Sequence, residues 1–380
     1  MKGLFIFPIN KDIPHSSGIV KKNGGILAAT ASLGVEVDDV SVDCRGLLLN
    51  GQPTVRVSNN RLSRGLFNNY LIFNKLRWLD FAQYDFIWLR AGLSTPPFLA
   101  LLRAINTVAP NQKVILEYGS FPFDDEIFGI HRWLLPFHRL LSPKLRNYCW
   151  RIITYCGQKG IYGIPCIRLG NGIDVDRIPF DSSVNRNVDQ INLISVSGLM
   201  YWHAIDRVID GLGIYYATRQ PESPDVILNI VGEGPERSNL EARIAATGLG
   251  GKVILHGFRS GAALDQLFNE SHLAIGTLGM HRKGLLADSS LKNREYFARG
   301  LPFILSTADA DFPATLPFVK YVPGDDSPVD MDAAIGFYRS IVNRYPEYST
   351  KIRSYAEEKL TWKSKMKQVL DEIGSEPHDG

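Results

Sequence analysis

The chain has 380 residues, 45% of them hydrophobic and 21% charged, with a formal net charge of +3 at pH 7. That length allows two globular cores, and the charge balance excludes a disordered chain and gives no footing for a nucleic-acid binder. No run approaches the roughly 18 apolar residues of a spanning helix, and Met1-Lys2 leads directly into a strand without a secretory pattern, so a cytoplasmic protein is expected.

Gly3-Leu4-Phe5-Ile6-Phe7-Pro8 reads as a first strand, followed by a loop with Ser16-Ser17-Gly18 and a helix from about residue 19 to 33. Gly34-Val35-Glu36-Val37 turns into the second strand, and residues 84–90 and 114–124 form two more strands with polar ends. Glu117, closing one of these apolar runs, is expected to orient an acceptor hydroxyl or to cap the next turn; Asp124 is the second candidate acid. Residues 131–151 mix bulky apolar and basic side chains around Pro136 and Pro143. This suits an interfacial segment on anionic lipid, and equally a helix packed on its domain with the basic side in solvent. The four cysteines, Cys44, Cys149, Cys156 and Cys166, are too scattered for a zinc site and read as reduced packing residues.

A domain boundary is expected near residues 168–180, where Arg168-Leu169-Gly170-Asn171-Gly172-Ile173-Asp174 precedes a polar stretch and a fresh strand starts at 191. The domains are then 1–172 and 173–357, and a last helix from about 351 to 373 either returns to the first domain, with about 358–380 packed on it, or lies as an independent surface helix. Strands of five to seven apolar residues alternating with helices make parallel sheets covered on both faces. The fold class is therefore α/β, two doubly wound Rossmann-like domains facing a central cleft, with ligands outside the carboxyl ends of the strands.

The segment Ser290-Leu291-Lys292-Asn293-Arg294-Glu295-Tyr296-Phe297-Ala298-Arg299-Gly300-Leu301-Pro302 carries the most chemistry. Ser289 or Ser290 can cap a helix whose free amides and dipole attract an anion, and Lys292 adds a full charge in the first turn. Glu295 follows three positions later on the same side, suited to accept ribose hydroxyls. Gly300 ends the helix, Pro302 blocks its continuation, and Phe303-Ile304-Leu305 begins a buried strand. The plainer alternative is an ordinary helix start with a surface Lys–Glu pair. Arg282 and Lys283, on the loop leading to this helix, reach toward the phosphates or form a solvated basic loop.

This segment resembles the donor-binding helix of family 4 glycosyltransferases, retaining enzymes of the GT-B architecture found in bacterial capsule and surface polysaccharide synthesis. The junction Asn171-Gly172-Ile173-Asp174, the turn Ile230-Val231-Gly232-Glu233-Gly234-Pro235 followed by Leu240-Glu241, and the strand at Val253-Ile254-Leu255-His256-Gly257-Phe258 resemble the same family in the same order. So does Thr361-Trp362, at the bend where such chains cross back to the first domain. The resemblance implies a donor held by Ser17, Gly18, His203, Arg282, Lys283, Ser290, Leu291 and Glu295, with Lys292 stabilising the leaving diphosphate. It implies no cofactor and no metal, the nucleotide sugar (UDP- or GDP-linked) being a substrate, and a glycan acceptor; if residues 131–151 meet lipid, the acceptor is a polyprenyl-diphosphate-linked oligosaccharide at the inner face of the cytoplasmic membrane.

The chain departs from that family in three places. The first of two paired glutamates falls at Ala287, with Asp288 beside it; an arginine and a lysine after the first strand of the second domain are replaced by Gly198 and His203. A protonated His203 would contact phosphate; as a lone histidine it fits a packed structural role as well. Asp174-Val175-Asp176 and Asp309-Ala310-Asp311 have a metal-like acid spacing in unsuitable places, and Gly232-Glu233-Gly234 lacks the third glycine of a dinucleotide fingerprint because Arg237 stands there. The expected function is metal-independent, retaining glycosyl transfer. The alternatives are a noncatalytic sugar-nucleotide or glycan binder and a sugar-nucleotide epimerase.

Overall fold

The computed structural model describes residues 1–12, 17–44, 46–56, 72–124, 127, 129–182 and 190–375. The chain divides into two units, Met1–Gly172 together with Trp362–Gly380, and Ile173–Thr361. Ser16 of the expected first loop lies outside the described residues, and of Ser17 only its place as the first residue of a helix is described.

In unit 1 the strands are β1 (Lys2–Asn10), β2 (Glu36–Asp43), β3 (Gly46–Leu49), β4 (Gln52–Arg56), β5 (Phe86–Arg90), β6 (Lys113–Tyr118), β7 (Arg151–Thr154), β8 (Gly160–Ile161) and β9 (Ile164–Arg168). They form one sheet in the order β4-β3-β2-β1-β5-β6-β7-β9-β8. From β2 through β1, β5, β6 and β7 to β9 every pairing is parallel, while β3–β4 and β8 add antiparallel edges. Side chains alternate across the pleat, and here both faces are dry. Leu4, Ile6, Ile87, Leu89, Val114 and Leu116 enter one core cluster, whereas Phe5, Phe7, Phe86, Trp88 and Ile115 enter another. This is why these strands read as continuous apolar runs. The helices are α1 (Ser17–Ser32), α2 (Ile72–Lys75), α3 (Pro96–Val108) and α4 (Leu135–Leu141).

Unit 2 holds β10 (Gln190–Val196), β11 (Asp225–Val231), β12 (Val253–Gly257), β13 (Leu273–Ile275), β14 (Phe303–Leu305) and β15 (Val319–Tyr321), all parallel, in the order β12-β11-β10-β13-β14-β15. Its helices are α5 (Asp206–Thr218), α6 (Arg237–Ala246), α7 (Ala262–Asn269), α8 (Leu291–Ala298), α9 (Met331–Arg344) and α10 (Tyr348–Lys359). Strand order reverses direction at β10, where chain crossovers leave to either side, the place where such sheets bind ligands. Gly300 follows α8 at φ +71°, the left-handed conformation that ends a helix at least cost in glycine.

The last helix expected from the sequence is two helices. Leu360 ends α10, its carbonyl accepting from the Ile173 amide at 2.8 Å instead of from the next turn, and α11 (Trp362–Ser375) starts afresh. Helix α11 packs against α1 within unit 1, and a Cβ on Gly25 or Gly172 would stand 2.3 or 2.5 Å from the Trp362 indole, so both glycines make room for that ring. No helix among the described residues is long and apolar enough to cross a membrane.

Candidate functional site

At the carboxyl edge of the unit 2 sheet, α8 starts from Ser290, whose extended backbone (φ −70°, ψ 131°) makes the cap without a side-chain bond. Lys292 is the second helical residue and is only 8% exposed, which departs from the surface Lys–Glu pair of the plainer alternative. Its Nζ donates to the Gly276 carbonyl at 2.9 Å and to His203 Nδ1 at 3.1 Å. Burial pulls the ammonium down to about 7, with the nearby Asp288 charge opposing the shift. Asp288 is itself pushed up by burial and then by Asp309, and among the described residues no ion pair joins it to Lys292.

His203 sits in the short turn Tyr201–His203 after β10. Burial, then the charges of Lys292 and Lys283, depress its imidazole to about 2. The ring is therefore neutral at pH 7, which removes the protonated phosphate contact expected of it. Because Nδ1 accepts from Lys292, the ring proton belongs on Nε2. Sequence reading placed both residues near phosphate but could not show that they touch.

Five polar atoms at this edge are buried with no hydrogen-bond partner among the described residues: the hydroxyl oxygens of Ser195, Ser197, Thr277 and Ser306, and Asn293 Oδ1. Buried polar atoms are normally satisfied, so such a group marks a place built for something else than packing. The neighbouring loop is drawn in by its backbone. Gly232 has φ +138°, a Cβ there would lie 1.9 Å from the Ser197 carbonyl oxygen, and the Leu199 amide donates to the Glu233 carbonyl at 3.0 Å.

The basic loop before α8 serves structure more than charge. Arg282 donates to Asp206 at 2.8 and 3.0 Å, to Asp326 at 2.7 Å and to the Tyr201 carbonyl at 2.8 Å, so the free phosphate-reaching arginine expected here is already spent on its neighbours. Lys283 lies over the Trp202 ring at 4.8 Å. Arg207, 1% exposed, gathers the carbonyls of Leu278, Pro323 and Ser327 at 2.7 to 2.9 Å and so holds two site loops together. Asp309 and Asp311, whose spacing resembles a metal motif, instead clamp the fully buried Arg294 of α8. Glu295 accepts from Arg299 at 3.1 Å and stays partly exposed, and Leu291 beside Lys292 is 38% exposed.

In unit 1 the structure corrects the first candidate acid. Glu117 is fully buried: Oε1 accepts from Lys22 at 2.9 Å, Arg90 at 2.8 Å and Tyr155 at 3.2 Å, and Oε2 accepts from Trp88 at 2.9 Å. Burial alone would raise its pKa, but Lys22 and Arg90 outweigh it and hold the carboxyl at about 2. A carboxylate so occupied orients its neighbours and leaves nothing for an acceptor hydroxyl. Lys22, drawn down to about 8 by burial against the pull of Glu117, stacks its ammonium 3.5 Å from the Tyr155 ring centroid. Asp124 is ion-paired with exposed Arg139 at 2.7 Å. Gly18, in the first turn of α1, is exposed with no atom of the described residues within 4 Å of a would-be Cβ. Close by, Phe7, Ile9, Val20, Leu27, Asn23 and Ser41 help line a cavity of about 150 Å³, and Asn23 Oδ1 and Ser41 Oγ are buried without partners among the described residues.

Residues 176–310 match the family model of glycosyl transferases group 1. Among solved structures, the chain is similar over 98% of its length to 99% of a sucrose-phosphate synthase from Thermosynechococcus elongatus, at 14% identity and a TM-score of 0.64. It is also similar to HepE of Anabaena in complex with UDP and glucose (14% identity, 99% of this chain and 100% of that chain, TM-score 0.58). A third similar structure is the trehalose-6-phosphate synthase OtsA (12% identity, 99% and 100%, TM-score 0.63). No curated protein matches the chain. The fold is GT-B, two Rossmann-like domains, as the sequence led us to expect. Unit 2 carries a group 1 glycosyl transferase domain, and the chain is an enzyme of the glycosyltransferase class.

Proposed function

We propose that the protein is a retaining, metal-independent glycosyltransferase that moves a sugar from a UDP- or GDP-sugar to a glycan or polyprenyl-diphosphate-linked oligosaccharide in bacterial surface polysaccharide synthesis. The observation that carries the reading is Lys292, a buried ammonium at a helix N-terminus whose bonded partners are a carbonyl and a neutral imidazole. Burying such a charge is costly unless an anion completes the site. The leaving diphosphate is that anion. The complexes of HepE with UDP and glucose and with UDP-glucose support a nucleotide-sugar donor for this fold.

In the reaction we infer, the bond from the anomeric carbon to the β-phosphate oxygen breaks as the acceptor oxygen bonds to the same face of that carbon. The acceptor proton passes to the departing phosphate oxygen, which avoids any need for Glu117. Lys292 and the first amides of α8 receive the developing charge. Arg294, fixed by Asp309 and Asp311, positions the helix that carries them. The acceptor is assigned to unit 1 and the donor to unit 2. The cavity beside α1, with the Asn23 and Ser41 oxygens in its wall, supports a small hydroxyl-bearing group there.

Incubation with a panel of UDP-, GDP- and ADP-sugars tests the reading. A transferase releases free nucleotide faster once acceptor is added and keeps its rate in excess EDTA. Binding without release would leave a noncatalytic sugar-nucleotide protein, and conversion of the sugar on its nucleotide would make it an epimerase.

A further inference from the structure

Helix α4 and the turn Gly129–Leu134 that leads into it have two unlike sides. Leu135, His138, Ser142 and Leu145 are buried. His138 Nδ1 accepts from the Ser94 amide at 2.9 Å, and its Nε2 lies 2.9 Å from the Tyr162 hydroxyl, so the orientation of the segment is locked. On the other side Trp133 is 80% exposed, Phe137 56% and Leu140 68%. Steps of four and three residues set these three side chains in one stripe. A single exposed leucine needs no explanation, but a large aromatic-led stripe does.

Along the segment's own sequence the charge is one-sided, after the acids Asp124, Asp125 and Glu126 that precede it. From residue 127 to 173 the sequence contains no aspartate or glutamate, while Arg132, Arg139, Lys144, Arg146, Arg151, Lys159 and Arg168 all fall inside it. Arg132, Lys144 and Arg146 are exposed, and Arg139 pairs with Asp124 just outside the acid-free stretch. The bonds to Ser94, beyond β5, and to Asp124, beyond β6, tie the segment to the carboxyl edge of the unit 1 sheet.

We propose that the outward stripe Trp133, Phe137 and Leu140, with its basic flank, is a docking surface for an anionic lipid bilayer. The apolar side chains enter the headgroup boundary while the lysine and arginines meet the lipid charge. This deepens the lipid-linked acceptor of the proposed function, because it places bilayer contact beside the edge assigned to that acceptor, but the surface stands on its own geometry.

Sedimentation of the full chain with phosphatidylcholine vesicles, with and without 30% phosphatidylglycerol, tests it. The parent protein should bind the anionic vesicles and lose that binding in high salt. Replacing the stripe (W133S, F137S, L140S) should weaken binding at least about tenfold, and R132Q, K144Q and R146Q should each cost roughly fivefold. Thermal melting should be unchanged in both sets, since every altered side chain is exposed. A parent protein that ignores anionic vesicles, or equal binding by the stripe variant, overturns the proposal. So does a concentration-dependent parent dimer, seen by light scattering, that the stripe variant cannot form. Donor turnover with a soluble acceptor separates the two readings: vesicle binding without turnover sinks the transferase alone, and turnover without vesicle binding sinks the docking surface alone.

Discussion

Lys22 in unit 1 and Lys292 in unit 2 are both buried and both bonded near the carboxyl edge of a parallel sheet, yet the two lysines live in opposite circumstances. Lys22 faces a fully buried carboxylate, Glu117, with Arg90, Trp88 and Tyr155 completing the cluster. Lys292 faces a carbonyl and a neutral ring. Burial lowers both ammonium groups, to about 8 and about 7, but only the first is bonded to a carboxylate inside the protein. A closed ion cluster holds a fold; an open one asks for a ligand.

The strongest way to break this comparison is Glu117→Gln, which strands Lys22 and Arg90 without their anion. Urea unfolding should show a loss of about 3–5 kcal/mol, the usual result of removing one partner from a buried pair. Turnover of the protein that remains folded should keep its order of magnitude. An equally stable variant that has lost turnover would return Glu117 to the acceptor.

Lys292→Met tests the other side. Turnover should fall on the order of 100- to 1,000-fold, as when a preorganised donor to a developing anion is removed. Stability should hold or rise, because a buried charge with no carboxylate bonded to it is gone. Near-parent turnover would remove the main support for the donor site.

The same lysine predicts a pH dependence for binding of a free nucleoside diphosphate, read by calorimetry. A diphosphate beside Lys292 raises its pKa above the unliganded value of about 7, so binding takes up a proton above that pH and none below. Affinity should be flat below pH 7 and weaken by up to tenfold per unit above it. His203→Leu, which removes an acceptor from the charged ammonium, should move the break to lower pH, and His203→Asn should restore it. A flat profile through pH 9 would mean that Lys292 does not meet the phosphates. Smallest of all, Glu295→Gln should lower donor affinity about tenfold or less across sugars on one nucleotide, with sugar preference intact. A changed preference would put Glu295 at the sugar end.

Much of this architecture was legible in the chain because its signals are local. Apolar runs dry on both faces marked β1, β5 and β6, and the Ser290-to-Pro302 order marked where α8 begins and ends. What stayed hidden depends on partners far apart in sequence. Nothing local says that Lys22 reaches Glu117, 95 positions away, or that Lys292 reaches His203, 89 positions away. For the same reason Glu117 read as an acid that orients an acceptor hydroxyl or caps a turn: the residue type and the strand end were visible, but the cover supplied by other elements was not. The break at Leu360 likewise comes from a distant amide, that of Ile173.

Arg207 carries a practical consequence. Its guanidinium holds main-chain carbonyls at Leu278, Pro323 and Ser327, so it grips the course of the loops mainly through their backbone, with the Asp325 carboxylate 3.6 Å away as its side-chain partner. That separates scaffold from variable surface. A library that diversifies residues 284–288 and leaves Arg207 untouched should give folded proteins at high frequency and a spread of donor choices among them, whereas diversifying Arg207 itself should empty the library of folded members. The loops around α8 are thus pre-sorted for engineering, with one arginine acting as the fixed mount.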